Sequence, residues 1–320
     1  MSANEIVVIR PGPRAIVVDR GRFGYMGIGV SWCGAADSLA LDVANRILGN
    51  DAAAAALEIA FGGASIRFTQ RTRFALAGAD CPASLNGESI STWAAYEASP
   101  GATLELGMPP RAVRTILAVG GGIDVPTVMN SRTTDLAARI GGLNGRVLEA
   151  GDRVPIAATG VAQDARALLV EPPRWWTRDA QETEIGVIPG GELTSFSEEA
   201  QERLWRTRWR VSPQSNRMAS VLEGEALDTR GAPELRSHAV VPGIVQVPPS
   251  GLPLVLLCDA QTTGGYPKIG VVAEADLWKL AQAQPGAHVR FAAMTLDEAA
   301  SALRAIEAYL AAIAAGAVQA

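Results

Sequence analysis

The densest group of side chains suited to chemistry lies in DAQTTGGYPK (259–268), directly after the apolar run LPLVLLC. This short stretch supplies amide, hydroxyl, phenol and ammonium groups, from Gln261, Thr262, Thr263, Tyr266 and Lys268. Two successive glycines, Gly264 and Gly265, can direct backbone N–H groups into a concave nest that binds an anion. We therefore expect a ligand-holding loop here, with a Thr/Gly-rich turn ended by proline as the alternative.

Two more polar stretches are candidate functional loops. DRGRFGYMGIGVSWCGAAD (19–37) has five glycines and lacks the alternation of a strand. Its charged side chains are Asp19, Arg20, Arg22 and Asp37. VSPQSNRMAS (211–220) is similarly polar and contains Asn216 and Arg217. Long loops in compact domains are commonly functional, although a flexible surface loop is the alternative for both stretches.

Familiar catalytic motifs are absent from the sequence. It contains no G-x-x-x-x-G-K-[ST] phosphate loop, no H-E-x-x-H and no G-x-S-x-G. The glycine-rich VGGGID (119–124) is more typical of a tight turn. Of the two histidines, His238 is the candidate for general acid–base catalysis, because histidine changes its charge near neutral pH. A hydrogen-bonded structural role is the alternative for His238, and His288 fits a surface position on a strand.

The composition limits the possible functions. The chain has 320 residues, of which 48% are hydrophobic and 19% charged, and its formal net charge is −5. Without a basic stripe it is not expected to bind nucleic acid. The opening MSANEIVVIRPGPR lacks the apolar segment of a signal peptide, and no run of about 18 apolar residues is free of charges and turns, so we expect a cytoplasmic protein without a membrane span. Cys33, Cys81 and Cys258 match neither a metal site nor a disulfide framework.

Four segments of the first half return in the same order about 180 residues later, which indicates an internal duplication. EIVVIRPGP (5–13) returns as EIGVIPGGE (184–192). The other matches pair 56–68 with 235–247, 73–80 with 252–260, and 99–106 with 284–291. We interpret the chain as two halves, residues 1–165 and 166–320, with additional material between about 107 and 182. Where the second half has DAQTTGGYPK the first has GADCPASLNG, an ordinary turn, and this divergence favours a specialised role for the second copy.

Local patterns predict a mainly β chain with few helices. Short apolar runs bounded by Gly, Pro and Asn are typical of strands, and SLNGE (84–88) carries an Asn-Gly pair suited to a type I′ hairpin. DSLALDVANRIL (37–48) has apolar residues at helical spacing, with Asp37 as N-cap and Gly49 as stop. TLDEAASALRAIEAYLAAI (295–313) predicts a C-terminal helix that its first threonine caps. We expect two β-barrel-like halves with helices at their edges.

The chain resembles the family of 5-oxoprolinase C subunits, also called the allophanate hydrolase subunit 2, KipA-like or biotin-dependent carboxyltransferase family. The resemblance runs from about residue 5 to about 292 and is carried by DRGRFGYMGIGV with CGAAD, ALEIAFGG, LAVGGGIDVP with NSRTTD, VSPQSNRM, VPGIVQVPPSG and DAQTTGGYPKIGVV. It implies tandem cyclophilin-like β-barrels, in agreement with the duplication.

The resemblance also implies an enzyme subunit that works with partners. Together with a KipI-like partner and a LamB/YcsF-like partner, such proteins open 5-oxoproline to glutamate at the expense of ATP, which the assembled complex is expected to bind with Mg²⁺. The residues expected to take part in catalysis are Asp37, His238, Asp259 and Lys268. The residues expected to bind the substrate are Arg22, Asn216, Arg217, Gln246, Gln261, Thr262, Thr263, Gly264, Gly265 and Tyr266.

Roles can be assigned to these residues on the lactamase interpretation. The QTTGG segment and Lys268 would bind a carboxylate or phosphate, Arg22 and Arg217 would neutralise negative charge, and the acids or His238 would move protons. Two other functions remain open. One is a carboxyltransferase for a urea-like substrate, which needs biotin on a separate carrier because the chain has no A-M-K-M-like biotinyl motif. The other is a KipA-like regulatory binding protein.

Overall fold

The computed structural model describes residues 4–157, 169–173, 182–229 and 235–316. The chain divides into two compact units. The first comprises Met1–Phe23, Cys33–Trp176 and Ala308–Ala320, and the second comprises Gly24–Trp32 and Thr177–Glu307. The predicted boundary between residues 165 and 166 lies outside the described residues, and the division into halves at that point stays a prediction.

The first unit is built from two antiparallel sheets. Its strands are β1 Glu5–Pro11, β2 Arg14–Val18, β3 Ala56–Ala60, β4 Ala64–Phe68, β5 Thr72–Gly78, β6 Ala83–Leu85, β7 Glu88–Ile90, β8 Ala94–Ala98, β9 Thr103–Leu106, β10 Arg114–Val119 and β11 Arg153–Pro155. One sheet has the order β11-β1-β4-β9-β6-β7 and the other β2-β3-β10-β5-β8. Residues of both sheets form one apolar core. Within it the rings of Phe68 and Phe74 stack, with 5.0 Å between their centroids. Burial of these alternating apolar residues is the main force holding the sheets together.

The second unit contains a closed barrel. Its strands are β12 Glu182–Pro189, β13 Trp209–Val211, β14 Ala219–Glu223, β15 His238–Ala239, β16 Ile244–Gln246, β17 Leu254–Leu256, β18 Thr263–Gly264, β19 Lys268–Val272 and β20 His288–Ala293. Seven of them close in the order β12-β19-β16-β17-β14-β13-β20, and β15 and β18 form a separate two-stranded ribbon. The barrel is filled by apolar side chains that include Trp209 and Phe291.

Four α-helices occur in the described residues: α1 Ser38–Leu48, α2 Glu198–Arg206, α3 Glu274–Gln282 and α4 Leu296–Ala314. The mainly β fold with a C-terminal helix is therefore confirmed. Helix α1 begins as predicted, because the Asp37 carboxylate accepts from Ala40 N at 2.8 Å, and it ends at Gly49 in the left-handed region. Thr295 caps α4 by accepting from Glu298 N at 3.2 Å. None of the helices in the described ranges combines the length and the apolar composition that a bilayer span needs.

Helices α2 and α3 were not expected from the sequence. Helix α2 buries only Ala200 and Leu204. Two buried residues form an apolar stripe too narrow for the helical pattern to be recognised in the sequence. Its Ser197 cap, which accepts from Ala200 N at 3.2 Å, is the one local feature that could have indicated it.

The segments matched as a duplication contain strands in both units. The Asn-Gly hairpin at 84–88 also forms, with Leu85 opposite Glu88 and positive φ at Asn86 and Gly87. Pairings nevertheless differ between the units: β4 pairs with β1 and β9, whereas β16, its counterpart, pairs with β17 and β19. The repeat is therefore visible in the positions of the strands along the chain, but not in which strands pair with each other.

Candidate functional site

The DAQTTGGYPK loop folds back along the second unit as one strand of the two-stranded ribbon. Gly264 lies opposite His238 and Thr263 opposite Ala239, and Val240 N donates to Thr262 O at 3.0 Å. The ribbon, β15 with β18, therefore joins the predicted histidine to the predicted glycine segment. The side chains of Gln261, Thr263 and Tyr266 are exposed along it.

The ribbon lies near Gln246 on the outer side of the barrel. Val245 belongs to the barrel core, whereas Ile244 belongs to a separate small apolar cluster with Val240, Leu256 and Ala260. Because side chains alternate along a strand, Gln246 faces outward with Ile244. Gln246 is nevertheless only 1% exposed. A β-carbon at position 264 would lie 2.8 Å from Gln246 Nε2, so a larger residue there would displace this carboxamide.

The two polar loops of the second unit are joined by an ion pair between Arg217 and Asp259. Arg217 Nε and Nη2 each donate to a different carboxylate oxygen of Asp259 at 2.8 Å, and Arg217 is 2% exposed. The backbones are joined as well, since Asp259 N donates to Arg217 O at 3.0 Å. This two-point geometry is the strong form of an arginine–carboxylate contact. It directs both charges at each other and fixes one loop on the other.

Lys268 is the cation of this loop, and its ammonium group makes one contact among the described residues. The chain has only two lysines, and the other, Lys279, makes an ion pair with Asp276 at 2.6 Å. In the described ranges, Lys268 Nζ contacts the carbonyl oxygen of Tyr266 at 3.1 Å. Its backbone N–H donates to the Glu192 carboxylate, which holds the start of β19 in place. Because an ammonium group has three donors, Lys268 can also bind an anion.

The remaining predicted residues of the second unit have local roles. His238 is exposed, and its Nδ1 lies 2.9 Å from Arg236 O. Asn216 is exposed and caps its own turn, with Oδ1 accepting from Met218 N at 2.7 Å. Gly265 packs closely enough that a β-carbon there would lie 3.0 Å from Leu235 O.

Sequence reasoning missed two residues that hold the loop. Ser31 Oγ donates to Ala260 O at 2.6 Å, which brings residues 24–32 against the start of the loop within the second unit. Glu192 is the second, through its contact with the Lys268 backbone. Both act across long stretches of sequence, so no local pattern could have indicated them.

The first unit contains the other two predicted residues, Arg22 and Asp37. Arg22 is fully buried, and its guanidinium donates to Val128 O at 3.0 Å and Thr133 O at 2.8 Å. Asp37 is also fully buried and caps α1. The structure therefore gives Asp37 a structural task, whatever else it does.

The described ranges offer little for a metal ion. No group of three or more His, Cys, Asp or Glu side chains that could hold a cation occurs in the part of the chain that the structure describes. The arrangement in the second unit is instead a glycine-lined backbone with hydroxyls, an ammonium group and a buried carboxamide. Such groups bind and orient a small polar ligand by hydrogen bonds.

Comparisons with known proteins identify the family of this chain. Residues 28–293 match the family model described as carboxyltransferase domain, subdomain A and B. The chain is 44% identical to the 5-oxoprolinase C subunit of Escherichia coli K12 over 92% of this chain and 93% of the relative. It is 38% identical to the 5-oxoprolinase C subunit of Haemophilus influenzae over 93% of this chain and 94% of the relative.

A solved structure shows the same fold. The crystal structure of the K. lactis urea amidolyase superposes with a TM-score of 0.86 at 28% identity, over 97% of this chain and 20% of that one. The chain thus corresponds to about a fifth of that larger protein. These comparisons confirm the resemblance inferred from the motifs: the chain belongs to the carboxyltransferase domain family, subdomains A and B, and is a relative of the 5-oxoprolinase C subunits.

Proposed function

We propose that this chain is a subunit of an ATP-dependent 5-oxoprolinase, which hydrolyses 5-oxoproline to glutamate. The observation that carries the proposal is the 44% identity to a 5-oxoprolinase C subunit over nearly the full length of both chains. The proposed complex contains a KipI-like partner and a LamB/YcsF-like partner. We propose that this complex works in the cytoplasm, where ATP is available.

The chemistry requires activation of the substrate. A five-membered lactam is a stable amide, and phosphorylation of its oxygen by ATP would turn that oxygen into a good leaving group. Water then adds to the ring carbon, and the nitrogen takes up a proton as the C–N bond breaks, which leaves an acyl phosphate. A second water hydrolyses this acyl phosphate to glutamate and inorganic phosphate. Preorganised donors aimed at the developing negative charge are the protein's main contribution to such a step.

Two features of the described residues favour a site for Mg-ATP elsewhere in the assembled complex. These residues offer no cluster of acidic side chains for the metal ion. The lysine of GGYPK begins strand β19, whereas phosphate loops end at the N-terminus of a helix. We therefore assign ATP binding to the assembled complex and route no step through ATP in this chain.

We propose that the substrate is bound at the ribbon of the second unit. Lys268 binds the carboxylate of 5-oxoproline, and the backbone N–H groups and hydroxyls of 262–265 orient the ring. His238, which is exposed beside Gly264, moves the proton to the departing nitrogen. Arg217 and Asp259 act as positioning residues, because each already pairs with the other.

A second candidate function is a biotin-dependent carboxyltransferase for a urea-like substrate. The match to the carboxyltransferase family model and the fold shared with a urea amidolyase favour it. Biotin would be delivered on a separate carrier protein. The relatives of nearly equal length are 5-oxoprolinase subunits, so this function ranks second. A KipA-like regulatory protein, which would show no turnover, ranks third.

The test is to co-express the chain with its KipI-like and LamB/YcsF-like partners and measure ADP release and glutamate formation with 5-oxoproline. We expect both products from the complete complex and neither from the chain alone. Lys268→Ala should raise the KM for 5-oxoproline at least about tenfold, because a charge-assisted hydrogen bond to the carboxylate is lost. Lys279→Ala, at the other lysine, is the matched control.

The alternative functions predict different results. A complete complex that releases no ADP with 5-oxoproline, but carboxylates urea when biotin carboxylase and a biotinylated carrier are added, contradicts the proposal. A complex without turnover on either substrate favours the regulatory function.

A further inference from the structure

The side chain of Gln246 is buried without the hydrogen bonds that it needs. Its Nε2 is buried and has no partner among the described residues. Within the same ranges nothing donates to its oxygen either, and the residue is 1% exposed. A buried polar group left unpaired costs about 1–3 kcal/mol of folding free energy. Such a group in a native chain indicates a ligand or an ordered water.

The carboxamide of Gln246 faces the ribbon at Gly264, a residue that has no side chain. The place of a β-carbon on Gly264 is 2.8 Å from Nε2 and 3.5 Å from Oε1 of Gln246, so both amide atoms lie beside this glycine. The same β-carbon position is 3.4 Å from the side chain of Val240, so an apolar group also borders it. A donor and an acceptor therefore stand side by side in front of an apolar wall.

We propose that the Gln246 carboxamide recognises a cis-amide, the H–N–C=O group of a lactam or a urea, through two hydrogen bonds. Nε2–H donates to the ligand's carbonyl oxygen, and the ligand's N–H donates to Oε1. Only an amide whose N–H and C=O lie on the same side can make both bonds at once. The inference rests on the proposed function and specifies which part of the substrate Gln246 binds.

This pairing accounts for the chemistry of both groups of relatives. A five-membered lactam holds its amide in the cis form, and urea presents an N–H on the same side as its C=O. The relatives are named for 5-oxoproline and for urea, and the two compounds share this group. Peptide bonds are almost always trans, so the site also excludes ordinary peptides.

The ligand reaches Gln246 when the ribbon lifts. Strands β15 and β18 pair through two residues only, and Val240 N donating to Thr262 O adds one more bond. Edge pairings as short as this open at low free-energy cost. The predicted ligand loop therefore covers Gln246 in this structure, and its displacement makes room for the ligand.

The test measures ligand binding, separately from turnover. Binding of 2-pyrrolidinone, N-methyl-2-pyrrolidinone, γ-butyrolactone and N-methylacetamide is compared by calorimetry on the full chain and on the complex with its partners. We expect the lactam to bind about tenfold or more tightly than the three analogues, each of which lacks the N–H or the cis geometry. Gln246→Met should weaken lactam binding by a similar factor and remove the preference.

Controls separate this inference from folding defects and from the proposed function. Gln214→Met removes an exposed glutamine of the same unit and should leave the preference unchanged. Gly264→Ala, whose methyl group displaces the carboxamide, should weaken binding even if Gln246→Met fails to fold. Equal binding of lactam and lactone, or no lactam binding to either the chain or the complex, overturns the inference. Selective lactam binding in a complex that does not hydrolyse 5-oxoproline leaves the inference standing and overturns the proposed function.

Discussion

At the scale of single residues, the pairing of Arg217 with Asp259 changes how both are understood. Taken from the sequence alone, one was a candidate for neutralising a substrate's charge and the other for moving protons. Their two-point contact satisfies each charge with the other. What the pair does instead is hold VSPQSNRM and the start of DAQTTGGYPK together, so its effect on substrate passes through the loop backbone.

Removing either member of this pair should destabilise the second unit strongly. We expect Arg217→Met or Asp259→Asn to lower the free energy of unfolding by about 2–4 kcal/mol, because the remaining charge is left without its partner. The double variant should lose less than the sum of the two. Urea denaturation of the four proteins measures this cycle.

An exposed ion pair of the same unit provides the control. Arg210 and Glu223 pair at the surface, with side chains 52% and 34% exposed. Arg210→Met should cost under about 1 kcal/mol. Equal losses at the two sites, or strict additivity for Arg217 and Asp259, would contradict the structural role assigned to the buried pair.

At the scale of elements, helix α1 explains where Asp37 is placed. The helix packs on strands β5, β8 and β10 of the first unit, and its N-terminus is capped by the Asp37 carboxylate. A helix that covers a sheet needs its first turn fixed, because unpaired N–H groups there are costly when buried. Capping therefore gives this fully buried aspartate a structural role.

Two substitutions at Asp37 separate the cap from a catalytic role. Asp37→Ala should lower the free energy of unfolding by about 1–2 kcal/mol, whereas Asp37→Asn should stay within about 0.5 kcal/mol of wild type, since asparagine is an equally good cap. Thermal unfolding measures both. A well-folded Asp37→Asn variant that loses 5-oxoproline hydrolysis in the complex would show that the carboxylate takes part in catalysis, whereas unchanged hydrolysis would leave only the cap.

At the scale of the whole molecule, stability also depends on charged groups of the first unit that are not part of the candidate site. In the first unit, Arg146 donates two hydrogen bonds to Asp152, at 2.7 and 2.8 Å. These bonds, with a further one from Glu149 N, hold the pKa of Asp152 below its ordinary value against the opposing effect of burial. A carboxyl whose pKa is lower in the folded chain than in the unfolded chain stabilises the fold above its unfolded pKa, and loses this effect as the pH falls through the folded value.

Asp152→Asn should therefore be less stable than wild type at neutral pH by about 1 kcal/mol. The difference should shrink below about pH 4, as the wild-type carboxyl is protonated. Unfolding followed from about pH 7 to about pH 3 measures it, with Glu307→Gln, at an exposed carboxylate of α4, as the control. A stability difference that does not change with pH would contradict this account.

Much of the fold was predictable because its determinants are local. The N-caps at Asp37 and Thr295, the stop at Gly49 and the Asn-Gly hairpin each depend on a few adjacent residues, and all four form. Short apolar runs bounded by Gly, Pro and Asn likewise predicted a mainly β chain. Helix α2 was missed because its buried stripe of Ala200 and Leu204 is too narrow to stand out in the sequence.

By itself, the sequence determined the fold class and the family, and it predicted the stretch DAQTTGGYPK as the centre of the candidate site. Only the tertiary structure decided what its residues contact. The Arg217–Asp259 pair, the burial of Gln246 near Gly264 and the contact of Glu192 with Lys268 all join residues far apart in the chain. Closure of the barrel creates these contacts, and local propensity carries no information about which distant groups will meet. That is why the sequence predicted a candidate site, while the structure showed which charges pair with each other and which buried polar atoms have no partner among the described residues.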